Sequence, residues 1–449
     1  MKNLKSFFAI CILLCTFNLR ADVIEMPPSA HVRPPVELDF PLVDLPFNST
    51  SYFPNLYSMQ QSLSLSTDFY ETAHSVLGGH YSSNNWYRIF YVAGFDLLTS
   101  AIPLSSSWMH EEWHRSVMSS RGIGSFNDVN TFPIGSPLIA VSHVDDIDLV
   151  NLKRDHPADQ VRLSAAGMES QVAQNMLIEK HHFFNGLRSL DQIILLENNF
   201  SVTFYLATCA SKDADKTTDE QNTQDGTDLR RRDFTGLDCT AWVYDLFRPK
   251  EPYAARGTHP SGVGADRYIR YSDLNSKEKD FLSLQAALSL LNFADPFLFR
   301  KDEFDGEFSG THFKWNAKLN HYITSFGATV DANLFLKLND EKYLVTWHNG
   351  MTDTRYLPGI TLEWIETETL CHALFASTGF TIWQQPKDQM IEDKATTTLA
   401  AASAQLLYRL NERFATYLGI ELKNEGWLAG NVYLDRNLSA QAGLKATVF

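Results

Sequence analysis

Beyond Asp305 the apolar residues recur at every second position, and this period dictates what the last third of the chain can become. Phe313, Trp315, Ala317 and Leu319 alternate with Lys314, Asn316 and Lys318, and Ala328, Val330, Ala332, Leu334 and Leu336 repeat the pattern. Successive side chains of a strand point to opposite faces, so a period of two sorts these residues onto one side of a sheet. Further runs follow at about 341–348, 355–366, 369–384, 394–410, 413–423, 428–435 and 438–449. Short polar turns such as Asn339-Asp340, Asn349-Gly350, Asn411-Glu412 and Asn424-Glu425-Gly426 separate them, which makes neighbours antiparallel. Upstream the period is three to four, in 86–101, 105–120, 158–180 and 277–292. The expected class is therefore α+β: a helical domain over 58–305, then an antiparallel β-meander or barrel of about 8 strands over 306–449.

The N-terminal stretch reads as an address. Lys2 and Lys5 precede the apolar run Phe7–Phe17, which is short for a bilayer span, and a cut near Ala21 makes residues 1–21 a secretory signal peptide. Residues 22–57 are rich in Pro and lack a helical period, so an extended arm is expected there. Within the helical domain, 211–233 carries almost no apolar residue and reads as a mobile surface loop. Cys209 and Cys239 flank it. In an exported chain they can bridge, the alternative being unrelated buried thiols.

Charge excludes some partners. With 38 basic against 53 acidic side chains the net charge is −15, and the one dense basic run is Arg230-Arg231-Arg232, so nucleic acid is not an expected partner. The segment 256–271, with Arg256, His259, Arg267 and Arg270, lacks both the P-loop ending and the GxGxxG spacing, which argues against nucleotide binding. A surface turn is expected there, with a His or Arg available to stabilise an oxyanion as the other reading.

Long strands with little charge, none between Lys394 and Arg409, and a terminal aromatic, Phe449, resemble bacterial outer-membrane β-barrel proteins. The phase departs from that family's pattern, because Thr447, Lys445 and Gly443 lie in step with Phe449 while Val448, Ala446, Leu444 and Ala442 form the apolar row. The resemblance implies an outer-membrane or periplasmic location and contact with outer-membrane lipid.

The segment most suggestive of chemistry is His110-Glu111-Glu112-Trp113-His114, which follows a Ser run able to cap a helix and precedes Gly122. On a helix the two histidines lie one turn apart on one face, and Glu111 is rotated by about 100° from His110. Two imidazoles can then converge on one ion, with a glutamate beside it to take a proton from an attacking water. This string resembles the HExxH zinc metallopeptidases, although Glu112 departs from the uncharged inner positions usual there, and with Arg115, which follows the motif, it also suits a salt-bridged surface helix.

A third ligand is expected from Glu169, a carboxylate on an apolar, small-residue helical stripe with Ala165, Ala166, Val172, Ala173, Met176 and Leu177. Its spacing is compatible with the glutamate-ligand branch of those peptidases, with Ala173 where one group has Asp or Asn. Competing ligands are His143, Asp145, Asp146 and His156. The alternative for Glu169 is an ion pair with an Arg such as Arg88 or Arg115. The resulting expectation is an exported, outer-membrane-associated metallohydrolase acting on peptide or protein substrates, with Zn2+ on His110, His114 and Glu169 and Glu111 as base. A non-catalytic outer-membrane pore, scaffold or adhesion module with a periplasmic helical domain is the second expectation. A di-iron carboxylate protein, using Glu111-x-x-His114 and Glu179-x-x-His182, is the third.

Overall fold

The computed structural model describes residues 36–46, 57–79, 86–131, 139–186, 190–339, 341–369 and 373–448. The expected signal peptide, most of the Pro-rich arm, Cys371 and Phe449 lie outside the described residues.

The helical region begins with α1 (Met59–Gly78), whose Ser58 and Gln61 form a capping box. Helix α2 (Arg88–Thr99) follows, then α3 (Ser106–Ser120), which carries the HExxH string. The Ser105 hydroxyl caps α3 by accepting from Trp108 N. Beyond it a two-residue strand β2 (Phe126–Asn127) pairs with β3 (Val141–Ser142). Helices α4 (Asp146–Asp155), α5 (Pro157–Lys180), α6 (Gln192–Cys209), α7 (Asp213–Asp225), α8 (Asp238–Phe247) and α9 (Ser276–Leu288) complete the region. Trp108, Met109, Trp113, Val117 and Met118 of α3 pack with Leu149, Leu163, Ala166 and Phe234 into one apolar cluster, so the motif helix is a core helix.

The sheet has ten strands. Strand β1 (Val36–Pro46) lies at one edge and β4 (Phe304–Phe308) at the other. Between them run β5 (Thr311–Thr324), β6 (Gly327–Leu338), β7 (Glu341–Met351), β8 (Tyr356–Glu368), β9 (Leu374–Pro386), β10 (Thr396–Arg409), β11 (Phe414–Lys423) and β12 (Asn437–Val448). The order is β1-β12-β11-β10-β9-β8-β7-β6-β5-β4, every pair antiparallel. The meander expected from the period is present; among the described residues the ladder stays open and does not close into a barrel.

Three differences from the sequence reading have physical causes. Part of the Pro-rich arm is strand β1, an edge strand where Pro41 and Pro46 are tolerated because one side of the ladder is free. The run 428–435 is not a strand. Its Leu434 and the preceding Trp427 turn into a buried cluster with Val172 of α5 and Tyr322 of β5. Most of the stretch expected as a loop is helix α7, anchored by a narrow buried row of Ala214, Thr218 and Asn222.

The faces of the sheet are inverted relative to a soluble half-buried sheet, where apolar residues face the interior and polar ones face water. Register places Ile420, Leu418, Leu406, Phe380, Ile382, Trp364 and Leu444 on the outer face, each at least a third exposed. Among the described outward positions of β5–β12 and β1, Glu341 at the start of β7 is the only Asp, Glu, Lys or Arg. The inner face carries Glu37, Lys318, Asp331, Glu363, Glu421 and Lys445, and α5 meets it through ion pairs. Lys180 lies 2.8 Å from Glu363, and Lys318 lies 2.5 Å from Glu179.

Candidate metal centre

Helix α3 delivers the two histidines together. Their ring centroids are 4.9 Å apart, as expected for residues one turn apart on one face. His114 is fixed by its far nitrogen, for Nδ1 donates to the Leu163 carbonyl at 2.6 Å. A carbonyl only accepts, so Nδ1 carries a proton, and Nε2 is the nitrogen turned toward the site.

The carboxylate that meets them is Asp238, in the first turn of α8. Its Oδ2 lies 3.0 Å from His110 Nε2 and 3.3 Å from His114 Nε2. One ligand atom from each of the three residues falls within 4.8 Å of the other two. Asp238 is held at both flanks. Its backbone N–H donates to the Tyr205 hydroxyl at 2.9 Å, and the adjacent Cys239 is disulfide-bonded to Cys209 at the end of α6, with Cα atoms 6.0 Å apart. Burial pushes the Asp238 carboxyl up, but the imidazoles of His114 and His110 outweigh it and hold the group well below the usual carboxylate range.

Gly167 of α5 faces the same point. A Cβ placed there would stand 2.2 Å from His110 Nε2 and 2.4 Å from His114 Nε2, so no larger residue leaves room for the two nitrogens. The small-residue stripe expected to let α5 approach the motif helix does so here. Residues two apart on a helix are separated by about 200°, so Glu169 points away from the imidazoles.

The structure therefore does not bring Glu169 to His110 and His114. Its carboxylate forms a bidentate pair with Arg162 and accepts the Gly430 N–H at 2.8 Å. Arg162 also donates to the Asn431 carbonyl at 3.1 Å, so the pair fastens the 427–431 turn onto α5. An ion pair was one of the two readings of Glu169. The partner is Arg162 on its own helix, not Arg88 or Arg115. Arg88 donates to the Gly78 carbonyl, and Arg115 pairs with Glu112 at 2.6 Å, where Asn127 also donates to Glu112. Those two charges are thus buried and paired, not a surface pair.

The competing ligands stand elsewhere. Asp146 binds Arg267 and the Ala265 N–H, His143 Nδ1 meets the Ser142 hydroxyl at 2.8 Å, His156 lies 3.9 Å from Asp159, and Asp145 precedes α4. The second Glu-x-x-His pair is also spent, with Glu179 on Lys318 and His182 on Asp191 at 2.6 Å. Arg256 and Arg267 are tied to Asp245 and Asp146, so neither is available to an oxyanion at this site.

Glu111 is buried beside the cluster. Burial raises its carboxyl well above the usual range, and the charges of Asp233, Asp238 and Asp128 add to that while His110 opposes it. His110 is the most open of the cluster residues, with 13% of its side chain exposed. Two imidazoles, one carboxylate and Gly167's open cradle fit a three-ligand ion with a free coordination position. The Nε2 of His114 is buried, makes no hydrogen bond and lies 3.3 Å from Asp238 Oδ2, which supports the same fit.

Asp238 was missed because it stands 124 residues beyond His114, where an acidic residue at a helix start reads as ordinary dipole compensation. The available signal was its neighbour Cys239, already a bridge candidate. Comparison of the chain with protein-family models, curated proteins and solved structures finds no match.

Proposed function

We propose that the protein is an exported metallohydrolase, a peptidase in its most economical form, that holds a divalent ion on His110, His114 and Asp238. The observation that carries the reading is the meeting of those three side chains beside Glu111 and under Gly167. An ion of the zinc type bound there supplies Lewis acidity toward a carbonyl and a water. With the ion bound, Glu111 would take the proton of the attacking water and pass it to the leaving amine. His114 is oriented for its role by the Leu163 carbonyl, and Asp238 by Tyr205 and the disulfide.

An outer-membrane seat is part of this reading. Its support is the inverted sheet, with an uncharged apolar outer face and an ionised inner one, which is the arrangement of a membrane β-wall. The test is metal stoichiometry and peptide hydrolysis on the purified chain. Glu111→Gln should keep one ion per chain while lowering kcat by about 100-fold or more. Retention of full activity in Glu111→Gln ends the hydrolase reading.

A second reading, a non-catalytic membrane protein with a helical plug, is favoured by one observation. A cavity of about 520 Å³ lies between α5 and the inner face of the sheet, and none of His110, Glu111, His114 or Asp238 lines it. Ion conductance by a metal-free chain distinguishes it.

A further inference from the structure

We propose that α2 and α6 complete the lipid-facing perimeter where the sheet is open, so that the bilayer meets helix faces as well as strands. This rests on the membrane reading and goes beyond it by assigning a lipid contact to the helical region.

The perimeter can be followed around the molecule. Edge strand β1 is covered by α1, whose Asp68 accepts the Asp39 N–H at 3.0 Å and whose Gln61 donates to the Pro41 carbonyl at 2.9 Å. Helix α1 packs on α2, and α2 on α6. Helix α6 packs on the 3-10 turn at Ser289–Phe293, which packs on β5. Asn199 of α6 donates to the Asn292 carbonyl, and Asn292 in turn donates to the His321 carbonyl of β5. Helices therefore run from edge strand β1 to the stretch of β5 beyond its pairing with β4, two places that hydrogen bonding between strands leaves apart.

Their outer faces continue the character of the sheet. On α2, Phe90 is 66% exposed, Leu97 74% and Leu98 82%, and on α6 Phe204 is 65% exposed and stacks on Phe200. Three polar groups of the same helices are buried and paired inward: Asp96 lies 2.7 Å from His74, and Asn198 and Asn199 join Asn175 and Gln174. Apolar outside with paired polar groups inside is the sense of the adjoining sheet, and that continuity selects lipid as the occupant. No single described helix is long and apolar enough to cross a membrane. None needs to, since each presents one face of a shared wall. Eighteen residues of α6 extend about 27 Å, close to the apolar band of about 25 Å on membrane barrels.

The experiment places a nitroxide, one at a time, at Phe90→Cys, Phe204→Cys, Ile420→Cys and Lys216→Cys in a Cys371→Ser chain. The chains are reconstituted in phosphatidylcholine–phosphatidylglycerol vesicles, and collision with oxygen and with a water-soluble nickel chelate is compared. Position 420 reports the outer face of the sheet, and position 216 is a water reference, its lysine being 80% exposed. Labels at 90 and 204 should match 420, with an oxygen-to-nickel ratio several-fold above that at 216. Lipid-like behaviour at 420 with water-like behaviour at 90 and 204 overturns the proposal and leaves the membrane reading standing. Water-like behaviour at all three removes both. Labels at 90 and 204 shielded from both reagents would mean that a second copy of the chain covers the face, which also overturns it.

Discussion

Helix α5 separates two buried carboxylates that met their desolvation cost differently. On one side Glu169 has a guanidinium, Arg162, and a backbone N–H, and its lone pairs are filled by the protein. On the other, past Gly167, Asp238 faces two imidazoles, one of them with a buried ring nitrogen lacking a hydrogen bond. A carboxylate satisfied by fixed cations of its own chain has no capacity left for an ion, whereas one facing ring nitrogens that can themselves be ligands retains it. Burial of an acid on an apolar stripe therefore marks a need for a partner, not the identity of that partner.

The sharpest way to break the contrast is to remove each acid in turn. Asp238→Ala should weaken metal binding by more than about 100-fold, beyond the range for groups outside the ligand set, and abolish hydrolysis. Isothermal titration with zinc checks it, and unchanged affinity would dissolve the distinction. Glu169→Gln should instead leave metal affinity within a few-fold while costing about 3–5 kcal/mol of stability, because Arg162 is left buried and uncompensated. Denaturant unfolding alongside the same titration separates the two effects. Gly167→Ala attacks the first side without touching any ligand. Its methyl group fills the space between the imidazoles, so metal binding should fall while the Glu169 side stays intact.

The disulfide sharpens the comparison further, since it belongs to the Asp238 side alone. Removing it with Cys209→Ala and Cys239→Ala should cost about 3–4 kcal/mol by the loop-closure argument, with a loss of metal affinity that exceeds any effect on the 427–431 turn. The smallest effect is expected from acid. Burial would raise the Asp245 carboxyl, but Arg256 and Lys153 outweigh it and hold it below the ordinary value. A depressed folded-state value means stability that is present above the unfolded pKa and lost as pH falls through the folded one. Stability should thus decline below about pH 4, and Asp245→Asn should remove that component of the decline. An identical acid limb in the variant would assign it to other groups.

Much of the fold was legible because period survives without knowledge of partners. Strands β5–β8 and β10–β12 lie where alternation put them, and α3, α5 and α9 where a three-to-four repeat did. The misses share a cause. The 428–435 run alternates in response to α5, and β1 alternates Val36, Leu38 and Phe40 with Glu37 and Asp39 among prolines that masked it. Helix α7 is specified by a row only three residues wide. At the candidate site, the imidazole pair and Glu111 were readable because one helix turn fixes them. Asp238 was not, since the packing of α5 and α8 that brings it in leaves no local pattern.

Strand β1 pairs with β12, setting Val36 against Val448. More than 400 residues separate these two partners, so the ladder cannot be finished until the chain has been made as far as Val448. The helices made in between have to wait with their apolar sides uncovered, and contacts of such long sequence separation form slowly. The interval leaves the side of β1 that β12 will occupy open to pairing with other chains. Yield on refolding should accordingly fall as protein concentration rises, long before the mature fold itself loses stability.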